Sequence, residues 1–268
     1  MTAGKTVLIT GASFGIGLEM ARLFARDQCH LILVARTADR LTQVAEELKG
    51  LGAPSALPLV QDLSRSGAAE NIFRTLAEQN LHLDVLVNNA GFGDYGAYAE
   101  THWPTVESMV QVNITSLLHL TRLFLPGMIA RKQGRIVNLA STAAFQPGPY
   151  MAVYYASKAF VLSFSEALSK ECEGTGVIVT AICPGPTATE FQTRANVLNT
   201  GIAQNQKSLL KMMEAAAVAE MGYRGMLKGK SVVVTGVLNR LGAWSGRHLP
   251  NVWVMAAIEK FHKKRQQN

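Results

Sequence analysis

The sequence predicts an α/β protein, a single Rossmann-type doubly wound parallel sheet of about seven strands with helices on both faces. Three observations predict it. Short β-branched or aliphatic runs alternate with long amphipathic stretches. The runs are apolar almost throughout, as in strands covered on both faces. A glycine-rich turn joins the first run to the first helical stretch, where an α/β nucleotide fold begins.

The first strand is read at residues 6–10, Thr-Val-Leu-Ile-Thr, and the glycine turn leads into a helix at 17–26. A second strand at 30–35 and a helix at 38–51 repeat the unit, followed by a strand at 55–59 and a helix at 64–79. The second half repeats the rhythm, with strands at 84–87, 135–139, 177–183 and 231–235 and helices at 105–131, 154–173 and 206–227. Such alternation requires right-handed crossovers between parallel strands. Residues 184–205 break the rhythm with Pro184, Gly185 and Pro186; lying after a strand's C-terminal end, they are expected to form a lid. No Pro/Gly/Ser linker divides the chain. The organisation expected is a domain at 1–236 and a basic C-terminal extension at 237–268.

With 48% hydrophobic and 17% charged residues, the chain is not disordered as a whole. The net charge of +7 would ordinarily suggest nucleic acid. Its distribution argues otherwise. Residues 1–223 carry 17 Lys/Arg and 18 Asp/Glu, whereas 224–268 carry nine Lys/Arg against Glu259 alone, a net +8. No nucleic-acid partner is expected. Cys29, Cys172 and Cys183 are odd in number and form no CxxC, so neither a disulfide framework nor a metal centre is expected. The N-terminus lacks a secretory pattern, and the uncharged stretch 136–157 contains Asn138, Gln146, Pro147 and Pro149. The expectation is a cytoplasmic protein.

The turn Thr10-Gly11-Ala12-Ser13-Phe14-Gly15-Ile16-Gly17 lets the backbone approach a pyrophosphate at a helix N-terminus, where N–H groups and a partial positive charge are available. The second strand ends at Ala35-Arg36, with Arg40 one turn later. A fold preferring NAD places an acid there for the ribose 2′-OH, whereas guanidinium groups suit a 2′-phosphate. NADP(H) is therefore the expected cofactor. Asp62-Leu63, ending the third strand, fits either an adenine contact or a helix N-cap.

Tyr154 and Lys158 lie four apart and share a helix face. An ammonium near a phenol favours the phenolate, lowering a value that starts near 10 and making Tyr154 a candidate general acid/base. Ser141, just past a strand end, is placed to donate to a carbonyl oxygen.

From about Lys5 to Thr235 the chain resembles the short-chain dehydrogenase/reductase family. The resemblance rests on Thr10–Gly17, Asp62, Asn88-Asn89-Ala90-Gly91, Asn113, Ser141, Tyr154 with Lys158, and Pro184-Gly185, together with the thirteen-residue step from Ser141 to Tyr154. It implies that Tyr154 protonates a substrate carbonyl while hydride passes from the nicotinamide, that Lys158 holds the ribose and tunes Tyr154, and that Ser141 polarises the carbonyl. It further implies that Asn113 supports a water in a proton relay. Asn89, Ala90 and Gly91 would line the cofactor cleft, and Pro184, Gly185 and Thr187 would meet the nicotinamide. A homodimer or homotetramer is the family expectation. Phe14 departs from NADP-dependent relatives that carry Arg or Lys between the glycines, which leaves the phosphate to Arg36 and Arg40. Tyr155, without a lysine four residues on, is read as packing.

Phe92, Tyr95, Tyr98, Ala143, Ala144, Phe145, Pro147, Tyr150, Phe191 and Val197 give the expected pocket few charges and suit a lipophilic ketone or aldehyde. After Thr235, Val254, Ala257, Ile258 and Phe261 recur at helical spacing near Lys260, Lys263, Lys264 and Arg265. Residues 252–265 thus fit an anionic membrane surface or an acidic carrier protein, and equally a helix capping the core. A competing function is a catalytically idle NADPH-binding sensor or scaffold acting through this tail. The joint presence of Asn113, Ser141, Tyr154 and Lys158 argues against it.

Overall fold

The protein's structure is a computed structural model that describes residues 2–190 and 212–263. Most of the expected lid, Phe191, Val197, residues 206–211, Lys264 and Arg265 lie outside the described residues. The predicted seven-stranded parallel sheet is present. Its strands are β1 (Thr6–Thr10), β2 (His30–Ala35), β3 (Ser55–Val60), β4 (Val85–Asn88), β5 (Gly134–Leu139), β6 (Val177–Cys183) and β9 (Val232–Val234), in spatial order β3-β2-β1-β4-β5-β6-β9. The order reverses between β1 and β4, the switch point outside whose carboxyl ends ligands bind in open α/β sheets.

The continuous apolar runs have the physical cause expected. Side chains alternate across the pleat, so Val7 and Ile9 of β1 enter one core layer with Phe24, Leu33 and Leu48, while Leu8 enters the other with Leu86, Leu120 and Phe124. Helices α1 (Gly15–Arg26), α2 (Ala38–Gly50) and α7 (Ala215–Leu227) cover the first face. Helices α3 (Ala68–Glu78), α5 (Leu117–Ala130) and α6 (Ala152–Glu171) cover the second. Each fully buried Leu or Ile contributes about 1.5–3 kcal/mol.

Three elements differ from expectation. Helix α3 starts at Ala68 because Gly67 adopts φ +80°, a left-handed conformation a helix cannot contain. The helix expected at 105–131 divides into α4 (Trp103–Val110), a π turn (Gln111–Ser116) and α5. Buried hydrogen bonds from Asn113 and from Ser116, whose hydroxyl donates to the Leu63 carbonyl at 2.7 Å, accompany that turn. The third difference flanks the expected lid, where β7 (Thr187–Ala188) and β8 (Met213–Glu214) pair in parallel.

The extension forms α8 (Val237–His248) and α9 (Asn251–Lys263). Helix α8 packs closely on the short turn Thr142–Phe145: a Cβ at Gly246 would lie 2.7 Å from the Phe145 carbonyl oxygen. Arg247 pairs with both carboxylate oxygens of Glu166 at 3.0 Å and sits 5.2 Å from the centre of the Phe145 ring.

Asn88 and Asn138 are register partners on β4 and β5, both buried. Asn88 donates to Asn138 Oδ1 (2.9 Å) and to the Thr121 hydroxyl (3.1 Å), and Asn138 donates to the Ser165 hydroxyl (2.9 Å). The chain of bonds ties the sheet to α5 and α6. Removing its middle member leaves a buried Asn88 amide hydrogen without an acceptor and the Ser165 oxygen without its donor, so Asn138→Ala is expected to lower the unfolding free energy by about 2–4 kcal/mol in a denaturant titration.

Candidate active site

A cavity of about 870 Å³ runs along the carboxyl ends of the strands, from the glycine turn to the C-terminal helices. Gly11, Ser13, Phe14, Gly15 and Ile16 line one end. Helix α1 starts there without a side-chain cap, which leaves first-turn N–H groups for an anion. Gly17 lies behind this wall, where a Cβ would come within 2.4 Å of both Asn89 Nδ2 and the Gly11 carbonyl oxygen. The Asn89 amide donates to the carbonyls of Thr10 (2.9 Å) and Gly11 (3.1 Å), and the Thr10 hydroxyl accepts from the N–H groups of Asn89 and Ala90 at 3.0 Å. The glycine turn is therefore stapled to the end of β4.

Arg36 is exposed and lines the cavity beside Asp62 and Leu63. Burial pushes the Asp62 carboxyl up, but the Ser64 N–H (3.0 Å) and hydroxyl (2.8 Å), with Arg36 and Arg65 nearby, bring it below its ordinary value. Asp62 therefore lines the cavity and accepts from Ser64 within a turn, but caps no helix, since α3 begins at Ala68. Arg40 stands off the cavity wall. Its guanidinium lies 5.1 Å from the Phe14 ring centre and donates to the Ser13 carbonyl at 3.3 Å, bracing the glycine turn from behind.

At the other end, Ser141, Tyr154, Tyr155 and Lys158 converge with Asn89, Ala90 and Gly91. Ser141 leads the turn Thr142–Phe145, accepting from the Ala143 N–H (3.1 Å) and donating to the Pro184 carbonyl (3.4 Å). The Tyr154 hydroxyl is hydrogen-bonded to Ser141, the one influence that pulls its proton affinity down. Burial wins and pushes the phenol up to about 12. Lys158 is buried, donates to the Leu139 carbonyl at 2.7 Å, and lies 5.8 Å from the Tyr154 ring centre. Desolvation lowers it to about 8. The lowering of Tyr154 expected from Lys158 does not appear, because burial raises the phenol and lowers the ammonium, opposing both charged forms.

The Asn113 side chain is engaged on both sides. Its two amide hydrogens go to the Phe92 carbonyl (2.9 Å) and the Ser157 hydroxyl (3.0 Å), while its Oδ1 accepts from the Phe92 N–H (3.1 Å). The side chain is a brace between the β4 loop and α6, with no amide hydrogen left for a relay water. Gly91 fits against this brace: a Cβ there would lie 3.1 Å from Asn113 Oδ1 and 3.3 Å from Lys158 Nζ.

Pro184, Gly185 and Thr187 line the same wall, and the Thr187 hydroxyl donates to the Gly185 carbonyl at 2.8 Å. The Asn239 side chain occupies the space over Gly185 and donates to the Thr235 carbonyl (2.7 Å). Asn239, Leu238, Gly242 and Ile258 carry the cavity wall into the extension, and none of these carried a sequence signal for a site. Tyr155, expected only to pack, lines the cavity as well. Of the aromatic residues expected around the substrate, Phe92 lines the cavity, whereas Tyr98 is exposed and Tyr95 packs on Tyr150 at 5.9 Å. Phe145 lies beneath Arg247. Ile258, on the stripe that fitted either a membrane or carrier contact or a helix capping the core, lines the cavity.

The short chain dehydrogenase profile matches residues 5–200. The chain belongs to this family of oxidoreductases. A ketoacyl reductase of Nostoc sp. is 36% identical over 182 residues, which cover 68% of this chain and 63% of that protein. A short-chain dehydrogenase of Sphingobium yanoikuyae, solved with NADPH, superposes with a TM-score of 0.79 at 32% identity, covering 90% of this chain and 92% of that one. A 3-oxoacyl acyl-carrier protein reductase of Brucella melitensis, solved with NAD, gives 0.72 at 27% identity over 87% of this chain and 89% of that one.

Proposed function

We propose that this short-chain dehydrogenase is an NADP(H)-dependent carbonyl reductase, interconverting a lipophilic ketone or aldehyde and its alcohol. The observation that carries the reading is the Tyr154 hydroxyl, hydrogen-bonded to Ser141 above the buried Lys158, in the cavity that also reaches the glycine turn.

The uncapped start of α1, held at the cavity by the Asn89 staple, fits a pyrophosphate, and Arg36 on the rim fits a 2′-phosphate. Asp62 and Leu63 would flank the adenine end, while Pro184, Gly185 and Thr187 would border the nicotinamide. When bound, the nicotinamide supplies the hydride. Tyr154 holds the proton for the carbonyl oxygen, and its burial keeps the phenol protonated, the state a general acid needs. The reverse oxidation would use the same tyrosine as its phenolate, with the direction of net turnover set by the cofactor and substrate ratios. Ser141 orients the carbonyl by hydrogen bonding, and Asn113 holds the two walls in register. Residues 1–236 would form the catalytic domain, with Leu238, Asn239, Gly242 and Ile258 of the extension at 237–268 lining its cavity.

A fluorescence titration with NADPH, followed by a panel of lipophilic ketones monitored by NADPH consumption, tests the proposal. Turnover is expected; tight NADPH binding with no turnover across the panel would favour the idle sensor. The low value of Lys158 adds a pH signature. Its ammonium is present below about pH 8 and lost above it, so NADPH binding is expected to weaken as pH rises through that value. In Lys158→Met the same step should vanish from the binding curve.

A further inference from the structure

Helix α8 turns its apolar row outward. Ala243 and Gly246 are buried on the inner face, whereas Val237, Leu241 and Trp244, at i, i+4 and i+7, are 66%, 61% and 59% exposed. Leu249, Val252 and Trp253 continue the patch into α9, the last two about 70% exposed. A helix on a water-facing surface normally shows the opposite pattern. Two of the chain's three tryptophans, Trp244 and Trp253, stand in this patch, and residues 224–268 carry the net +8. Exposed aliphatic side chains, tryptophan and cationic charge together match the chemistry of the boundary between lipid headgroups and acyl chains.

We propose that the α8–α9 surface docks on an anionic lipid bilayer, with the adjoining rim of the cavity towards the lipid. Charge decides the occupant. Beyond Arg247, which is paired with Glu166, α8 and α9 carry Arg240, Lys260 and Lys263 against Glu259, so a second copy would bring charge of the same sign, whereas an anionic surface is complementary. The patch also adjoins the cavity, because Leu238 and Gly242 of α8 and Ile258 of α9 line it. An apolar substrate dissolved in the bilayer thereby reaches the site without crossing water. The docking itself does not depend on which carbonyl compound is reduced. It uses a different face from the stripe through Ile258, which turns to the cavity.

The test is flotation of the full-length protein with vesicles of phosphatidylcholine alone or mixed with phosphatidylglycerol. Binding to the mixed vesicles is expected, weakening as salt is raised. The Leu241→Ser/Trp244→Ser double variant should partition about tenfold or more less, at the ordinary value of buried apolar groups. Its NADPH affinity and unfolding midpoint should match wild type, since both side chains project into solvent. In a Trp103→Phe background, tryptophan emission should shift to shorter wavelength only with the mixed vesicles. Equal flotation of wild type and double variant, or no flotation of either, would overturn the proposal. A wild-type dimer that the double variant converts to monomer without any vesicle binding would overturn it in favour of a second copy.

Discussion

Tyr154→Phe is expected to lower kcat for ketone reduction by roughly 10²–10⁴-fold, the usual contribution of a positioned general acid, while NADPH binding is unchanged. The substitution removes one oxygen from a ring that otherwise keeps its place on α6. It abolishes the bond to Ser141 and leaves the carbonyl oxygen without a proton source. Steady-state turnover and a parallel NADPH titration separate the two effects. Tyr155 is the natural comparison, because its ring lies 6.1 Å from that of Tyr154 and also lines the cavity. Lys158 sits against the Tyr154 ring, and Ser141 is bonded to the Tyr154 hydroxyl. Full activity in Tyr154→Phe with loss in Tyr155→Phe would reverse the two roles; full activity in both would remove tyrosine from the chemistry.

Arg36→Asp is expected to weaken NADPH binding by roughly 10–150-fold, the worth of hydrogen bonds to a charged group, and to shift preference towards NADH. The sign follows from geometry and charge. The guanidinium stands on the rim beside Asp62, so a carboxylate there repels a 2′-phosphate and offers an acceptor to a 2′-OH. Dissociation constants for both cofactors measured on both proteins decide the matter. An unaltered ratio would show that Arg36 does not meet the phosphate.

The strands were legible because each is a short apolar run with both faces covered, a pattern little else in a chain of this composition produces. The glycine turn was legible because strand, turn and helix appear in immediate succession. What escaped the sequence depends on partners distant along the chain. The π turn at Gln111–Ser116 accompanies bonds from Asn113 to Phe92 and Ser157 and from Ser116 to Leu63, none of which leaves a periodic signature. Asn239 reaches Gly185 only because α8 returns over the carboxyl ends of the strands. The spacing of Tyr154 and Lys158 placed a cation near a phenol correctly. It carried no measure of how dry the site is, and dryness sets the direction of both shifts. Arg36 and Arg40 look equivalent in sequence, yet packing against Phe14 divides them into a rim residue and a brace.

The close fit of Gly246 on the Phe145 carbonyl, with Arg247 over the Phe145 ring, has a kinetic consequence. The turn Thr142–Phe145 begins at Ser141, so opening of its Phe145 end is expected to be coupled to lifting of α8. Amide hydrogens of that turn are expected to exchange faster in a variant whose C-terminal helix is loosened, as hydrogen exchange would show. The serine's pose thus rests in part on a segment far along the chain from it.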